Sequence, residues 1–307
     1  VNALTASSLC GVPGTMNMKV ALTISFYLFS YSEAWYLPQV RERSPTRLFE
    51  TAEERSVMGI PEHLHEMKVS ESFRHDDSNV VVEKVSSSPP IFVLRNFLTT
   101  QECHHIMDSV SEMEPGQTAS NHGSQQRKNS RVGWIDNTDE VVVRDAAKRA
   151  HDIFLSQQQC FHESRGVEPL QVVRYDEGGE YVLHQDGNRR LLTVLYYLNG
   201  AGETWFPLAD SSSDNESTTP SMNDSRLLAL KKCETLKPGQ DGVLVSCEGG
   251  RGTAIKQGDA VAFYNYFTDS TVDWNALHAG LPVSSTKWIG NHFYHHVPFS
   301  AVNDLEQ

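Results

Sequence analysis

The chain has 307 residues, of which 39% are hydrophobic and 21% charged, and acidic residues outnumber basic ones by 39 to 26. The hydrophobic content is enough for one large domain or two smaller ones, and ordinary glycine and proline contents exclude a disordered polymer, a collagen and a coiled coil. The net charge of -13 argues against partners such as nucleic acid or an anionic membrane surface, because binding to either favours a basic face.

The N-terminal segment has the pattern of a secretory signal peptide. Lys19 precedes an uncharged, mostly apolar run over residues 20–30, and residues 32–34 have the pattern small-x-small. A basic start, a short apolar stretch and such an end are typical of a leader that is removed. We therefore expect residues 1–34 to be an upstream segment with a signal peptide, which places the protein in the lumen of the endoplasmic reticulum or Golgi.

Two alternatives stay open for this segment, a retained signal anchor and a buried helix or strand. Met16 or Met18 is a more natural start than Val1, so residues 1–15 are open to interpretation as upstream translation. We find no apolar run of the roughly 18–20 residues that a membrane span needs, and we expect no membrane association beyond a retained anchor.

Secretion into an oxidising compartment would permit disulfide bonds between the cysteines and glycosylation at Asn-x-Ser sequons. Four cysteines follow the signal segment, and an even number permits disulfides. We favour a bond between Cys233 and Cys247, which flank one polar stretch, over four free thiols. Asn-x-Ser occurs at Asn215 and Asn223 and predicts a glycosylated surface loop.

The next segment, residues 35–89, is polar with little periodicity, and we interpret it as a linker. A short apolar strand over residues 91–94 opens the folded domain, which we place at residues 90–299, before a C-terminal tail over residues 300–307. Thr99 and Glu102 form a capping box that predicts a helix through about Met113.

A second helix is predicted to begin at Asn137 or Thr138 and to run to about Leu155, after a loop over residues 115–130 and an extended segment over 131–135. Beyond it the chain changes to short β-segments separated by turns. These predicted strands cover residues 170–175, 181–184, 191–198, 259–266 and 287–295.

Short strands in series after two helices indicate an α+β, mainly β fold, a sandwich or barrel with helices packed outside. Residues 208–256 interrupt the series, and their first part is nearly free of apolar side chains. We interpret residues 208–256 as an inserted surface loop.

Three residues in this β region form a candidate metal site. His184 and Asp186 are two positions apart on a predicted strand, so their side chains share a face. Because a second His-x-Asp occurs at residues 75–77, the pattern alone is weak. His278 adds a third ligand, and two histidines with one carboxylate are typical of an iron(II) site with open positions, although zinc is not excluded. Lys287 follows nine positions after His278 and can pair with the carboxylate of a co-substrate.

The chain resembles the prolyl 4-hydroxylase family of iron(II)- and 2-oxoglutarate-dependent dioxygenases. Several segments match this family in its order and together make the resemblance specific. The matching segments are residues 90–103, 173–186, 193–199, 202–207, 258–264 and 278–288.

The resemblance implies a double-stranded β-helix, or jelly-roll, core with N-terminal helices packed outside. It implies that His184, Asp186 and His278 hold iron(II) and that Lys287 binds the far carboxylate of 2-oxoglutarate. It also implies that Tyr175, Tyr197 and Thr193 line the co-substrate pocket. For Tyr197 and Thr193 the alternative is plain packing in the core.

The family pattern also has departures here. The spacing from His278 to Lys287 is one position shorter than usual in the family, a difference that the turn at residues 284–286 can absorb. The segment that borders the peptide groove matches only loosely, with Arg131 and Trp134 as candidate substrate contacts and a surface arginine and a core tryptophan as the alternative.

The function implied is 4-hydroxylation of proline residues in secretory-pathway polypeptides. Molecular oxygen is the oxidant, 2-oxoglutarate is decarboxylated to succinate, and ascorbate is the implied reductant. The alternatives are the same chemistry on lysine residues or a small molecule, and a non-catalytic jelly-roll binding module.

Overall fold

The computed structural model describes residues 60–75, 78–116, 127–155, 161–163, 166–187, 189–210, 226–249, 252–267 and 271–295. The signal segment, both sequons, Cys160 and the C-terminal tail lie outside these residues. The helices are α1 (Glu62–Glu66), α2 (Thr100–Ser109), α3 (Val141–Phe154), α4 (Arg226–Cys233) and a 3-10 helix (Trp274–Ala276).

The strands begin with a group that precedes the metal-site residues. These are β1 (Ser72–Arg74), β2 (Val81–Ser87), β3 (Pro90–Arg95), β4 (Glu114–Pro115) and β5 (Arg127–Ile135). The remaining strands are β6 (Leu170–His184), β7 (Arg190–Tyr197), β8 (Glu203–Phe206), β9 (Val243–Ser246), β10 (Thr253–Ala254), β11 (Ala260–Tyr264), β12 (His278–Gly280) and β13 (Lys287–His295).

Helix α2 begins as the sequence predicts. The Thr99 hydroxyl accepts a hydrogen bond from the Glu102 amide at 3.1 Å, and the Glu102 carboxylate accepts one from the Thr99 amide at 2.6 Å. Two backbone amides at the start of the helix, those of Thr99 and Glu102, are thereby satisfied. The helix ends at Ser109, four residues before the predicted end.

Helix α3 begins at Val141, later than predicted, because the residues before it make other contacts. Asp136 accepts hydrogen bonds from both the amide and the hydroxyl of Thr138 and so holds a turn. The Asn137 side chain donates instead to the carbonyl oxygens of Glu163 and Glu168.

Strand β6 is long and links two layers of one continuous sheet, the larger sheet from β1 to β6 and the smaller sheet from β6 to β10 in the order of pairing. Its first part pairs with β13, which pairs with β7, which pairs with β11. Its last part pairs with β12, followed by β8 and β9. Two layers of four antiparallel strands, connected through β6, form a double-stranded β-helix. The predicted jelly-roll core is therefore confirmed.

The two sheets enclose an apolar cluster that holds residues of both, for example Val173 and Val261 from one sheet and Phe206 and Val245 from the other. A second cluster covers the outer face of the larger sheet, where Ala146 and Phe154 of α3 pack with Leu170. The helices therefore pack outside the core, as predicted. No helix among the described residues is long and apolar enough to cross a membrane.

The linker prediction for residues 35–89 is wrong for the part that the structure describes. Strand β2 pairs with β3 and extends the larger sheet, and Val80 and Val82 are buried in the outer cluster. The buried Lys84 ammonium donates to the carbonyl oxygens of Leu64 and Met67 and ties α1 to the sheet. The polar composition of the segment masked this short apolar strand.

The loop prediction for residues 208–256 is also wrong in part. Strand β9 pairs with β8 along its whole length and is buried, so this segment supplies the edge of the smaller sheet. The favoured Cys233–Cys247 disulfide is absent, and both thiols are free. Cys233 packs against Leu277 at the end of α4, whereas Cys247 packs on the inner cluster, so the two lie in different environments.

Candidate iron and 2-oxoglutarate site

The fold brings the three predicted metal ligands together. His184 is the last residue of β6 and His278 the first of β12, and the two strands pair these residues directly. Asp186 follows β6 by two residues. One donor atom from each residue lies within 4.8 Å of the other two. Only the pairing of two strands far apart in the chain completes this cluster.

Backbone carbonyls orient both imidazoles. His184 Nδ1 lies 2.8 Å from the Val182 oxygen, and His278 Nδ1 lies 3.0 Å from the Ala276 oxygen. Since a carbonyl only accepts, each Nδ1 carries a hydrogen, and in the neutral form of each ring Nε2 keeps its lone pair. The two Nε2 atoms face Asp186, at 3.6 Å for His184 and 3.9 Å for His278. Two ligands each about 2.1 Å from one ion lie up to about 4.2 Å apart, so these side chains fit a bound metal.

Two polar residues hold the carboxylate of Asp186. The Thr193 hydroxyl donates to Asp186 Oδ2 at 2.6 Å, and the Asn265 amide nitrogen donates to the Thr193 oxygen at 2.9 Å. Thr193 and Asn265 are both buried. Thr193 thus lines the pocket as predicted, and its hydroxyl orients the metal-site carboxylate.

The charge states of the cluster suit metal binding. Burial raises the pKa of Asp186, but His278, His184 and Arg190 outweigh that effect and hold it well below its usual range. Burial, reinforced by His184, lowers the pKa of His278 to about 4. At neutral pH the cluster therefore offers an ionised carboxylate and a neutral His278, the forms that bind a metal.

Lys287 lies in the same pocket despite the shorter spacing from His278. Its ammonium is buried, donates to the Glu203 carbonyl at 3.0 Å and lies 5.4 Å from the centre of the Tyr197 ring. Burial lowers the pKa of Lys287 to about 8. A buried cation with one neutral acceptor can bind an anion.

Gly202 makes room for the Lys287 side chain. A Cβ at position 202 would lie 2.5 Å from Lys287 Cδ, and the residue has φ +83°, a conformation that favours glycine. Gly202, which belongs to a segment that matches the family, is therefore required by the position of Lys287 and by its own backbone conformation.

The two predicted tyrosines have different positions. Tyr175 lines the pocket, and burial raises its pKa, so the hydroxyl stays protonated at neutral pH. Tyr197 lies behind the pocket wall, and its hydroxyl donates to the Thr204 hydroxyl at 2.7 Å. Thr204 itself lines the pocket.

The two candidate substrate contacts lie on opposite faces of β5. Trp134 pairs with Gln171 on the side that faces the pocket, and it is 50% exposed. Arg131 pairs with Arg174, which lies near Trp288 on the outer face of the sheet. The structure therefore does not bring Arg131 into the pocket.

Tyr181 and Arg127 are two of the pocket residues that the sequence analysis did not identify. The ring of Tyr181 stacks on the ring of His184, with centroids 3.6 Å apart. The Arg127 guanidinium lies 4.2 Å from the centre of the Tyr181 ring. Tyr181 was open to detection, since it lies three positions before His184 on a predicted strand. Arg127 lies in a predicted loop, and only the pairing of β5 with β6 places it here.

Comparisons with known proteins agree with this site. Residues 170–295 match the family model of the 2OG-Fe(II) oxygenase superfamily. Prolyl 4-hydroxylase 5 of Arabidopsis thaliana is 32% identical over 235 residues, which cover 69% of this chain and 72% of that protein. Prolyl 4-hydroxylase 2 of the same plant is 29% identical over 227 residues, covering 68% and 69%.

Among solved structures, the viral collagen prolyl hydroxylase of Paramecium Bursaria Chlorella virus-1, in complex with 2-oxoglutarate, aligns with a TM-score of 0.42 and 22% identity, over 66% of this chain and 94% of that chain. The family-model match and the His-Asp-His cluster support iron(II) and 2-oxoglutarate as the cofactor and co-substrate. By its identity to the plant enzymes over more than two thirds of their length, the chain belongs to the prolyl 4-hydroxylase family of 2-oxoglutarate- and iron(II)-dependent oxygenases.

Proposed function

We propose that this protein hydroxylates proline residues of polypeptides at C4, with molecular oxygen as oxidant and decarboxylation of 2-oxoglutarate to succinate. The observation that carries the proposal is one pocket lined both by the metal cluster of His184, Asp186 and His278 and by Lys287. The names of the plant relatives support proline as the substrate residue.

His184, Asp186 and His278 would hold iron(II), leaving open positions for the co-substrate and oxygen. When bound, iron(II) supplies the oxygen activation that couples decarboxylation to hydroxylation. Thr193 keeps the Asp186 carboxylate in place through its hydrogen bond to Oδ2.

The rest of the pocket would bind and shield the co-substrate. Lys287 would pair with the far carboxylate of 2-oxoglutarate, and the Tyr175 hydroxyl would add a hydrogen-bond donor. Leu195, Ile289 and Phe293 form apolar walls that exclude water around the reacting atoms.

The substrate polypeptide would reach the metal along the face of β5 and β6 that carries Trp134. A half-exposed indole on the pocket side of β5 offers a flat apolar surface for proline rings. This proposal retains Trp134 as a substrate contact and omits Arg131, which lies on the outer face.

We further propose that the protein acts in the lumen of the secretory pathway and uses ascorbate as reductant. The apolar run at residues 20–30 and the sequons at Asn215 and Asn223 support a secretory, glycosylated protein. Family membership supports ascorbate.

The test measures succinate release with iron(II), ascorbate, 2-oxoglutarate and a proline-containing peptide, in the wild type, Asp186→Ala and Asp176→Ala. We expect peptide-stimulated succinate in the wild type and a loss of at least about 100-fold in Asp186→Ala, because a metal ligand is removed. Asp176→Ala, a change at a half-buried carboxylate of β6 paired with Arg174, should retain activity. Succinate without peptide stimulation would contradict the substrate class, and full activity in Asp186→Ala would contradict the site.

A further inference from the structure

A buried arginine, Arg127, lines the pocket beside Tyr181, whose ring stacks on His184. Arg127 is 7% exposed, its Nη2 donates to Gln171 Oε1 at 3.0 Å, and its guanidinium packs on Tyr181. The guanidinium is therefore held by Gln171 and Tyr181 and cannot swing out to solvent without breaking these contacts.

These contacts leave one hydrogen-bond donor of the Arg127 guanidinium unpaired. The Nε atom of Arg127 is buried and has no acceptor among the described residues. A buried donor without an acceptor is costly, and an oxygen acceptor on a bound molecule would satisfy it.

The charges of the pocket also favour such a molecule. The charged side chains among the described lining residues are Arg127, Asp186 and Lys287. When iron(II) and the 2-oxoglutarate dianion are bound, their charges cancel, and Asp186 offsets only one of the two cations. One buried positive charge then faces the substrate.

We propose that Arg127 is a specificity-determining residue that admits a neutral substrate side chain with a nearby carbonyl oxygen and excludes a cationic one. Asp186 is the only carboxylate among the described residues that line the pocket, and it serves the metal. A lysine side chain would therefore bring an ammonium into a low-dielectric site beside Arg127 with no carboxylate to pair with. The inference rests on the proposed function and names a residue that would select proline over lysine.

Binding of three matched peptides tests this inference without turnover. The peptides carry proline, lysine or acetyl-lysine at one position, and calorimetry measures their affinity for the protein loaded with Mn(II) and 2-oxoglutarate. Acetyl-lysine keeps the length of lysine without its charge. We expect the wild type to bind the acetyl-lysine peptide about tenfold or more tightly than the lysine peptide, and to bind the proline peptide best.

Three variants identify the residue responsible. Arg127→Gln should reduce the preference for acetyl-lysine over lysine to within about threefold and weaken proline-peptide binding about tenfold. Arg127→Lys keeps the charge and should retain the preference. Lys128→Gln removes the neighbouring positive charge, whose side chain is exposed and pairs with Glu180, and should behave as the wild type.

The inference is overturned if the wild type binds the lysine and acetyl-lysine peptides equally, or if Arg127→Gln leaves both the preference and the proline affinity unchanged. It is also overturned if Arg127→Gln weakens 2-oxoglutarate binding tenfold and spares the peptides, because Arg127 would then serve the co-substrate. Failure of the iron-loaded wild type to oxidise proline would instead refute the proposed function, while the peptide preference would still report on Arg127.

Discussion

At the scale of single residues, Thr193 shows how a side chain beyond the metal ligands sets the site. Its hydroxyl donates to Asp186 Oδ2, and Thr193→Val removes that donor at nearly constant volume. We expect metal affinity to fall about tenfold or more, since partners that orient metal ligands typically contribute 10–100-fold. Titration with Mn(II) measures the change. Thr193→Ser, which keeps the hydroxyl, should bind Mn(II) within about threefold of the wild type, and equal affinity in the valine variant would refute this role.

The burial of Lys287 makes co-substrate binding depend on pH. Because burial lowers its pKa to about 8, the side chain is cationic below that pH and loses its charge as the pH rises through it. We expect KM for 2-oxoglutarate to be steady from pH 6 to 7 and to rise by about tenfold per pH unit well above pH 8. The same measurement on Lys287→Arg, whose charge persists, should show no such rise, and a flat wild-type profile would contradict the assignment.

Residues differed in how far sequence alone could place them. His184, Asp186 and Lys287 were predictable because strand alternation and the family pattern mark them. Arg127 was not, because nothing local distinguishes it from a loop arginine and only the pairing with Tyr181 brings it to the pocket. The predicted disulfide between Cys233 and Cys247 was wrong, because their positions at the two ends of one polar stretch do not bring their thiols together.

At the scale of elements, the connection before β8 shapes the pocket through Gly202. Gly202→Ala would place a Cβ 2.5 Å from Lys287 Cδ, so we expect Lys287 to shift and KM for 2-oxoglutarate to rise about tenfold. Gly249→Ala is the matched control, because Gly249 also has a positive φ, +72°, but nothing lies within 4 Å of the added carbon.

Both alanine variants should lose stability to a similar extent, about 1 kcal/mol, through backbone strain. Kinetics with 2-oxoglutarate and thermal unfolding separate the two effects. An equal KM change in both variants would mean that strain, and not the contact with Lys287, is responsible.

Elements were predictable where a local signal decides them. The capping box set the start of α2, and β13 was predicted at its observed bounds, Lys287–His295. Strands β2 and β9 were missed because each lies in a segment of polar composition and gains its stability from tertiary pairing with β3 or β8.

At the scale of the whole molecule, the fold extends upstream of the catalytic core. Strand β2 covers the edge of β3, and Leu64, Val80 and Val82 are buried against the helices. A chain that begins at Pro90 would expose β3 and lose these side chains, at about 1.5–3 kcal/mol each. We expect it to unfold at clearly lower denaturant concentration than a chain that begins at Ile60, and equal midpoints would show that residues 60–89 do not stabilise the domain.

The central claim, that this pocket couples 2-oxoglutarate decarboxylation to proline hydroxylation, is tested most directly with isotopically labelled molecular oxygen. The protein is incubated with iron(II), 2-oxoglutarate, ascorbate and a single-proline peptide, and mass spectrometry follows both products. The account predicts one labelled oxygen atom on C4 of the proline and one in succinate, both lost in His278→Ala. A peptide without added oxygen, or a hydroxyl group that carries no label, would contradict it.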